Sequence, residues 1–448
     1  MSHAFDLIVL GAGSAGLTVA RRSAKLGARV ALFDPDALGG TCVNRGCVPK
    51  KAMWFAAQWA QAQRLAADIG FAVTPAPLDW ARFRRQRDDY IAGIRQRYAQ
   101  RLDEEGIHVL SSAARFVAAN TLLDADGARY SAPQIVIATG ARPRRLDIPG
   151  FELGMVSDDI FMLEAAPRHI AVVGGGYVAT EFACVMHGLG CQVDLLVRGG
   201  LLSSFDDALV EALATQMQAR GMRIVRDVEV VAAQGTPGDI RLRDASGASH
   251  GPYDAVLWAV GRTPNTDGLG LDAVEVALDA KGHVQTDAFQ NTSVPGITAI
   301  GDVTGRHALT PVAVAAGHAL AQRLFGGEPQ AHFDYEAIPS VVFAEPPLGG
   351  VGLTEREARE RHGDAVRIHA GSYTPLQLMV AGHHEQSMVK LVCVGEDERV
   401  LGIHALGPGS EELLQGFAVA LRMGLHRRDL KASVAIHPTA AEEVVLLR

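Results

Sequence analysis

The sequence is predicted to fold as an α/β chain with two parallel-sheet units and a C-terminal α+β unit. Three observations predict this. A short apolar strand, a glycine-rich turn, a helix and a second strand follow one another between Phe5 and Asp34. The same succession recurs between His169 and Arg198. From about residue 334 onward apolar and polar residues alternate instead, as in an antiparallel sheet with one covered face. A chain of 448 residues has room for about two to four domains.

In the first unit, Phe5–Leu10 reads as a short strand, apolar but for Asp6, as in a parallel strand buried on both faces. Gly11, Gly13 and Gly16 follow at dinucleotide-fingerprint spacing and open a helix that runs to Leu26. Glycines there permit a tight turn, the close approach of a pyrophosphate and helix–strand contact. Asp34, at the end of strand Arg29–Asp34, can accept from a ribose 2′-OH. Strand, glycines, helix, strand and acid together describe a Rossmann-like dinucleotide-binding domain.

Cys42 and Cys47 come next, after Gly39, Gly40 and Thr41 and before Val48, Pro49, Lys50 and Lys51. Pro49 suits the first turn of a helix, and the run Lys51–Ala60 reads as that helix. Cys47 therefore falls at a helix N-terminus, where partial positive charge and unpaired N–H groups favour a thiolate. Two thiols, one of them activated, make a reversible redox pair. A structural disulfide, or two buried free thiols, are the plainer alternatives, and the spacing is looser than the usual redox motif.

Residues 52–105 read as helical with a break at Thr74–Pro77, and the charged run Arg82–Tyr90 as a solvated helix face. Ile107–Leu110 and the turn around Asp124–Gly127 read as antiparallel strands. Gln134–Gly140 reads as a buried strand ending in Thr139 and Gly140, and Arg142–Pro149 as a linker. The second nucleotide unit has strand His169–Val173, then Gly174 and Gly176 with Ala179 at the third fingerprint position. Its helix passes through Glu181 to Leu189, and strand Gln192–Val197 ends in Arg198. An NAD site would carry an acid at that strand end; arginine favours a 2′-phosphate, hence NADP(H). Two such units argue for two dinucleotides, one of them a flavin that accepts hydride from a nicotinamide.

Asp254–Arg262 reads as a strand ending at a domain boundary, Gly296–Asp302 as a strand ending in an acid, and Thr310–Phe325 as a helix. Met388–Val394 and Arg399–His404 alternate as antiparallel strands, and helices follow at Ser410–Met423 and near the C-terminus. His437 and Glu442, five apart, fit a general acid/base with its orienting carboxylate, or an ordinary surface pair.

Composition narrows the class. The chain is 48% hydrophobic and 21% charged, which is ordinary for a globular protein. A net charge of -8 and a pI of about 6.1 argue against nucleic acid as a partner. Apolar runs are broken before a membrane span is reached, and with the first strand starting at Phe5 no signal peptide is expected. Five cysteines are too few and too scattered for a disulfide framework. A cytoplasmic location is expected, and there a close cysteine pair is catalytic sooner than structural. Cys184, Cys191 and Cys393 read as small core residues, and no metal site is expected.

The motif Gly39–Lys51 resembles the redox centre of the flavin-dependent disulfide reductases, the class I pyridine nucleotide-disulfide oxidoreductases. Within them it is most similar to the glutathione reductases, whose loop ends Val-Pro-Lys-Lys as Val48–Lys51 does; lipoamide dehydrogenases typically have Ile-Pro-Ser-Lys there. The tail His437–Glu443 resembles the same branch. The resemblance covers essentially the whole chain in the same order. It implies an FAD domain beginning at 1–141, an NADP domain at 142–262, a central segment at 263–333 that completes the FAD domain, and a dimerisation domain at 334–448.

It also implies roles, residue by residue. The FAD and NADP sites would be built from Gly11, Gly13, Ser14, Gly16, Asp34, Gly40, Thr41, Thr139, Gly140, Asp302 and Thr310, and from Gly174, Gly176, Tyr177, Arg198, Gly261 and Arg262. Cys47 would face the flavin and Cys42 attack the substrate, glutathione disulfide. Lys50 and Glu181 would serve the flavin, and Ser14, Arg21, Tyr98 and His318 would line the substrate pocket. His437 with Glu442 would act from the other subunit of a homodimer.

Two departures stand out. The glutathione reductases usually place a second arginine shortly after the equivalent of Arg198; here the loop is one residue shorter and has Ser203. They also tend to have arginine at His318. Other readings are a reductase of another small disulfide and a lipoamide dehydrogenase-type complex subunit. Large thioredoxin reductases and mercuric reductases fit less well, as no cysteine pair lies near the C-terminus.

Overall fold

The structure, a computed structural model, describes residues 2–447. The chain divides into two compact units. The first comprises Met1–Lys50, Arg82–Arg144 and Arg262–Tyr335, and the second Lys51–Ala81, Arg145–Gly261 and Glu336–Arg448.

The first unit is built on a five-stranded parallel sheet. Its strands are ordered Ile297–Ala299, Gln134–Ile137, Leu7–Leu10, Val30–Phe33, His108–Leu110. Leu7–Leu10 is central and reads as an unbroken apolar run because both of its faces are covered. Leu7 and Val9 pack into the cluster that holds helices Ser14–Lys25 and Thr310–Phe325, with Val19 and Leu320. Ile8 and Leu10 pack the other way, on Phe116 and Leu122 of a four-stranded sheet.

Two expectations change here. His108–Leu110 was predicted antiparallel but lies parallel to Val30–Phe33, with Ala31 opposite His108. It is a three-residue, half-exposed edge strand reached through a helix, and so carries no period of its own. Arg142–Pro149 was predicted as a linker, yet Ala141–Pro143 pairs antiparallel with Arg262–Pro264. The Asp124–Gly127 turn does close an antiparallel hairpin, with Leu123 opposite Arg129.

The second unit carries the other parallel sheet, ordered Met155–Val156, Ala255–Trp258, His169–Val173, Gln192–Val197, Arg223–Arg226. A three-stranded antiparallel sheet follows within Val230–Tyr253. The C-terminal sheet is antiparallel and five-stranded, ordered Ser340–Val342, Leu348–Gly352, Arg399–Leu406, Ser387–Val394, Val366–Tyr373. Helix Ser410–Arg422 covers one face through Leu414 and Ala418, on Val351, Leu391 and Ile403. The helical segment is two helices, Cys47–Asp68 and Trp80–Glu104, separated by a break longer than Thr74–Pro77. Among the described residues no helix is long and apolar enough to cross a membrane.

A buried ionic cluster ties the second unit together. Lys390 Nζ lies 2.8 and 2.9 Å from the Asp206 oxygens and 2.7 Å from Glu355 Oε2. Asp206 also caps helix Asp207–Ala219 by accepting from the Ala208 N–H.

Candidate functional site

The redox loop is a pair of short-range turns locked against the first glycine turn. Cys42 sits in the single helical turn and a half Gly40–Arg45, and Cys47 is the first residue of helix Cys47–Asp68. A Cβ on Gly40 would come within 2.6 Å of Gly13 Cα, so only glycine allows the two turns to touch. The Gly39 N–H donates to Ala12 O at 2.9 Å across the same contact. Asn44 holds the loop from inside: its Nδ2 donates to the carbonyls of Ala37, Leu38 and Gly40 at 3.0–3.1 Å. Arg45 reaches Asp36, Nη2 to Oδ2 2.6 Å, and the Asp36 N–H donates to Asp34 Oδ1 at 2.8 Å.

The two thiols are electrostatically unlike. Cys47 is depressed to about 6, first by a hydrogen bond from the Cys42 thiol, against the cost of burial, and then by the Thr310 hydroxyl and the charge of Lys50. Its Sγ lies 3.6 Å from Thr310 Oγ1. Thr310 opens helix Thr310–Phe325, so two helix N-termini converge on this sulfur and both favour its anion. Cys42 moves the other way and is held protonated, because it is the donor to Cys47 and is more enclosed; the hydroxyls of Thr310 and Ser14 oppose that shift. Cys47 keeps an exposed face, and Cys42 is half-buried. The remaining thiols are inert: burial pushes Cys184 and Cys191 up to about 12 and Cys393 to about 11.

The surrounding residues of the first unit fit a dinucleotide. Helix Ser14–Lys25 starts at Gly13 with no side-chain cap, which leaves first-turn N–H groups for an anion. A Cβ on Gly16 would fall 1.8 Å from Gly11 O and one on Gly11 2.3 Å from Ala138 O. Asp34 accepts from the Ala12 N–H at 2.5 Å and is raised by burial, partly offset by that bond. Asp302 is likewise raised by burial, against the charge of Arg262. Arg262 donates to Ala141 O and lies 3.5 Å from Thr41 Oγ1. Thr139 and Gly140 are pinned by Asn265, whose Nδ2 donates to Thr139 O at 2.9 Å and whose N–H donates to Gly140 O at 2.9 Å.

Of the residues expected at the substrate, Ser14 is brought to the cysteine pair. Arg21 forms a two-point pair with Glu105, Nε to Oε2 2.8 Å and Nη2 to Oε1 2.6 Å, and Lys25 shares the same carboxylate at 3.2 Å. The trio keeps one net positive charge. Tyr98 packs, partly buried, against the core cluster that holds helices Ser14–Lys25 and Thr310–Phe325. His318 is exposed on helix Thr310–Phe325, eight residues from Thr310.

In the second unit, helix Tyr177–Gly188 begins at Gly176, again without a side-chain cap, and a Cβ on Gly174 would meet Ala259 O at 2.2 Å. This turn fits a second dinucleotide by the same test. Tyr177 is partly exposed at the helix start, and buried Glu181 accepts from the Phe343 N–H at 2.9 Å. Gly261 closes the strand Ala255–Trp258 segment with φ +111°, which glycine alone adopts freely. Arg198 follows the last residue of strand Gln192–Val197, its side chain 75% exposed. His437 Nδ1 lies 2.9 Å from Glu442 Oε2; the imidazole is 80% exposed and the carboxylate only 10%. That hydrogen bond holds the Glu442 carboxyl below its ordinary value and turns the far ring nitrogen outward.

Sequence reasoning missed Asn44, Asn265 and Lys51. Lys51 is lowered to about 8 by burial, against the pull of Glu411, Glu412 and Glu181. Its Nζ sits 3.5 Å over the Trp54 ring and 3.6 Å over Phe343. Asn44 lay inside the quoted motif, and the signal was an amide between two cysteines. Asn265 and the sulfur contact of Thr310 had no local signal.

The comparisons agree with this geometry. Residues 5–317 match the pyridine nucleotide-disulphide oxidoreductase family, and residues 338–448 match the pyridine nucleotide-disulphide oxidoreductase dimerisation domain. A glutathione reductase of Burkholderia cepacia is 40% identical over 445 residues, covering 99% of this chain and 98% of its own. A glutathione reductase of Schizosaccharomyces pombe is 39% identical over 461 residues, covering 100% and 99%. With two glycine turns suited to nucleotides and a polarised cysteine pair between them in sequence, the chain belongs to the pyridine nucleotide-disulphide oxidoreductase family.

Proposed function

We propose that this protein reduces glutathione disulfide with NADPH, as a homodimer, through Cys42 and Cys47. The observation that carries the reading is the polarised pair: one thiol depressed to about 6 at two helix N-termini and its neighbour held protonated. We assign FAD to the first glycine turn with Asp34 and Asp302, and NADPH to the second with Tyr177 and Arg198. We assign residues 1–141 and 263–333 to the FAD domain, 142–262 to the NADP domain and 334–448 to dimerisation. When bound, the flavin supplies the two electrons, drawn from NADPH, that open the Cys42–Cys47 disulfide.

The chain's own residues then manage protons and sulfur. Cys47 holds the negative charge of the reduced pair. Cys42 loses its proton to His437 and attacks one sulfur of the substrate, so the other leaves as a thiolate. His437 returns that proton to it, while Glu442 fixes the ring and its tautomer. Cys47 then attacks the Cys42 sulfur of the mixed disulfide, restoring the protein disulfide and releasing the second thiolate. Lys50 supports the Cys47 anion. We assign Glu181 to the flavin side and Ser14, Arg21, Tyr98 and His318 to the substrate side. A single residual positive charge near Arg21 suits the carboxylates of glutathione.

A second reading, a different small disulfide, is favoured by exposed His318 where the glutathione reductases tend to have arginine. Anaerobic NADPH consumption by the pure protein, with thiol release counted, separates the two across a panel of small disulfides. Glutathione disulfide is expected to give the highest kcat/KM. Turnover of another disulfide alone would establish the second reading.

A further inference from the structure

We propose that Glu229 is a specificity-determining residue for the coenzyme, acting by competing with the 2′-phosphate for Arg198. The inference rests on the NADPH assignment above and adds to it the residue that weakens it. Arg198 stands where the second strand of the fingerprint meets the ribose of a bound dinucleotide. Its guanidinium already has an anion: Nη1 lies 3.4 Å from Glu229 Oε1.

Backbone contacts fix this meeting. The Val228 N–H donates to Val197 O at 3.0 Å, which sets residues 228 and 229 beside 197 and 198. The Glu229 carbonyl accepts from the Ala245 N–H at 2.9 Å. The loop beyond Arg198 is equally fixed against the glycine turn: the Leu202 N–H donates to Gly175 O at 2.7 Å. A Cβ on Gly175 would come within 2.7 Å of Gly200 O. Further along, Arg356 donates to Ser203 O at 2.9 Å and pairs with Asp207 at 2.6 Å, so the position that lacks a second arginine is held by backbone contact.

The other cation at this sheet end is Arg226, whose Cα is in register with Val197. Its Nη2 is engaged by both oxygens of Glu211 at 2.8 and 3.0 Å. The 2′ position therefore meets one arginine already shared with a carboxylate. A 2′-phosphate must displace or approach that carboxylate, whereas a 2′-hydroxyl can donate to it. Glu229 thus lowers affinity for the phosphorylated coenzyme and raises that for the unphosphorylated one.

The test uses the full-length FAD-loaded protein and two fragments, adenosine 2′,5′-bisphosphate and 5′-AMP, with binding read by calorimetry. Glu229→Gln is expected to bind the bisphosphate about two- to fivefold more tightly, the range of an exposed ion pair, and to bind 5′-AMP more weakly than wild type. Glu229→Lys is expected to gain more. Arg198→Ala should lose about tenfold or more on the bisphosphate, and the Arg198→Ala/Glu229→Gln protein should show no gain over Arg198→Ala. Should Arg198→Ala weaken the bisphosphate while Glu229→Gln and Glu229→Lys bind like wild type, the inference about Glu229 fails and the coenzyme assignment stands. Unchanged binding by Arg198→Ala would overturn both.

Discussion

The asymmetry between Cys42 and Cys47 is made by residues of very different sequence distance. Lys50 lies three residues from Cys47, but Thr310 lies 263 away. The cysteines were legible because spacing, Pro49 and the helical run share one short stretch. Thr310 was legible from local pattern as a helix start and by resemblance as a cofactor-site residue, but not as a partner of Cys47, since its contact with sulfur is made by the sheet topology that carries two helix N-termini to one point. The Cys42→Ser protein isolates Cys47 and keeps a hydroxyl donor beside it. Its ultraviolet thiolate absorbance is expected to be full at neutral pH and to fall as pH drops through about 6, where the Cys47 anion takes up its proton. Adding Thr310→Val removes a hydrogen bond to the charged form, so the transition should move up by about one to two pH units. An unmoved transition would show that the hydroxyl does not stabilise the anion. Asn44 makes a separate case. Asn44→Ala leaves three carbonyls without their donor and is expected to cost about 1–3 kcal/mol of stability in denaturant titration. A loss under a few tenths would mean that water replaces the amide.

At the scale of elements, what could be read was what has a period or a punctuating glycine. Both fingerprints, helix Thr310–Phe325 and the shift to alternation after residue 334 all follow from local pattern. His108–Leu110 and Val366–Tyr373 did not. The first is three residues long, and the second is an edge strand whose burial alternates weakly, though it pairs with Ser387–Val394 along its whole length. Elements far apart in sequence are instead joined by charge. Lys390, with a side chain 4% exposed, ties strand Ser387–Val394 to the cap of helix Asp207–Ala219 and to the start of helix Glu355–His362. Burial opposes ionisation of Asp206, but the hydrogen bond from Lys390, the charges of His404 and Lys390 and the Glu355 N–H together outweigh it, and the carboxyl is held low. Its contribution is therefore present above the ordinary carboxylate pKa and is lost as pH falls through the lowered folded value. Lys390→Met strands that buried carboxylate and is expected to cost about 3–5 kcal/mol, while Lys390→Met/Asp206→Asn should recover most of the loss. Denaturant midpoints for the three proteins decide it: equal stability of single and double variants would mean that the ion pair, and not the stranded charge, accounts for the loss.

At the scale of the whole molecule, the disposition of His437 argues for a partner. In the role proposed for it His437 needs an orienting carboxylate, and Glu442 lies 2.9 Å from its Nδ1 in a nearly buried position. Yet the ring is 80% exposed, and Val434 and Ile436 just before it are 96% and 75% exposed. Burying such apolar residues stabilises an interface, and a second copy of this chain would cover them and receive the histidine. The spacing of His437 and Glu442 was readable in the sequence; the exposure of one and the burial of the other were not, because exposure is a property of the fold. Subunit mixing tests the arrangement. A Cys42→Ser homodimer and a His437→Ala homodimer should each be nearly inactive. After the two are unfolded and refolded together, about half of the dimers are mixed, and each mixed dimer holds one intact site in two if the histidine serves the opposite subunit. Activity should then return to about a quarter of that of refolded wild type. If His437 served Cys42 of its own chain, every site in every mixed dimer would carry one lesion. A mixed population verified by mass and still inactive, beside wild type that refolds well, would rule out the shared site.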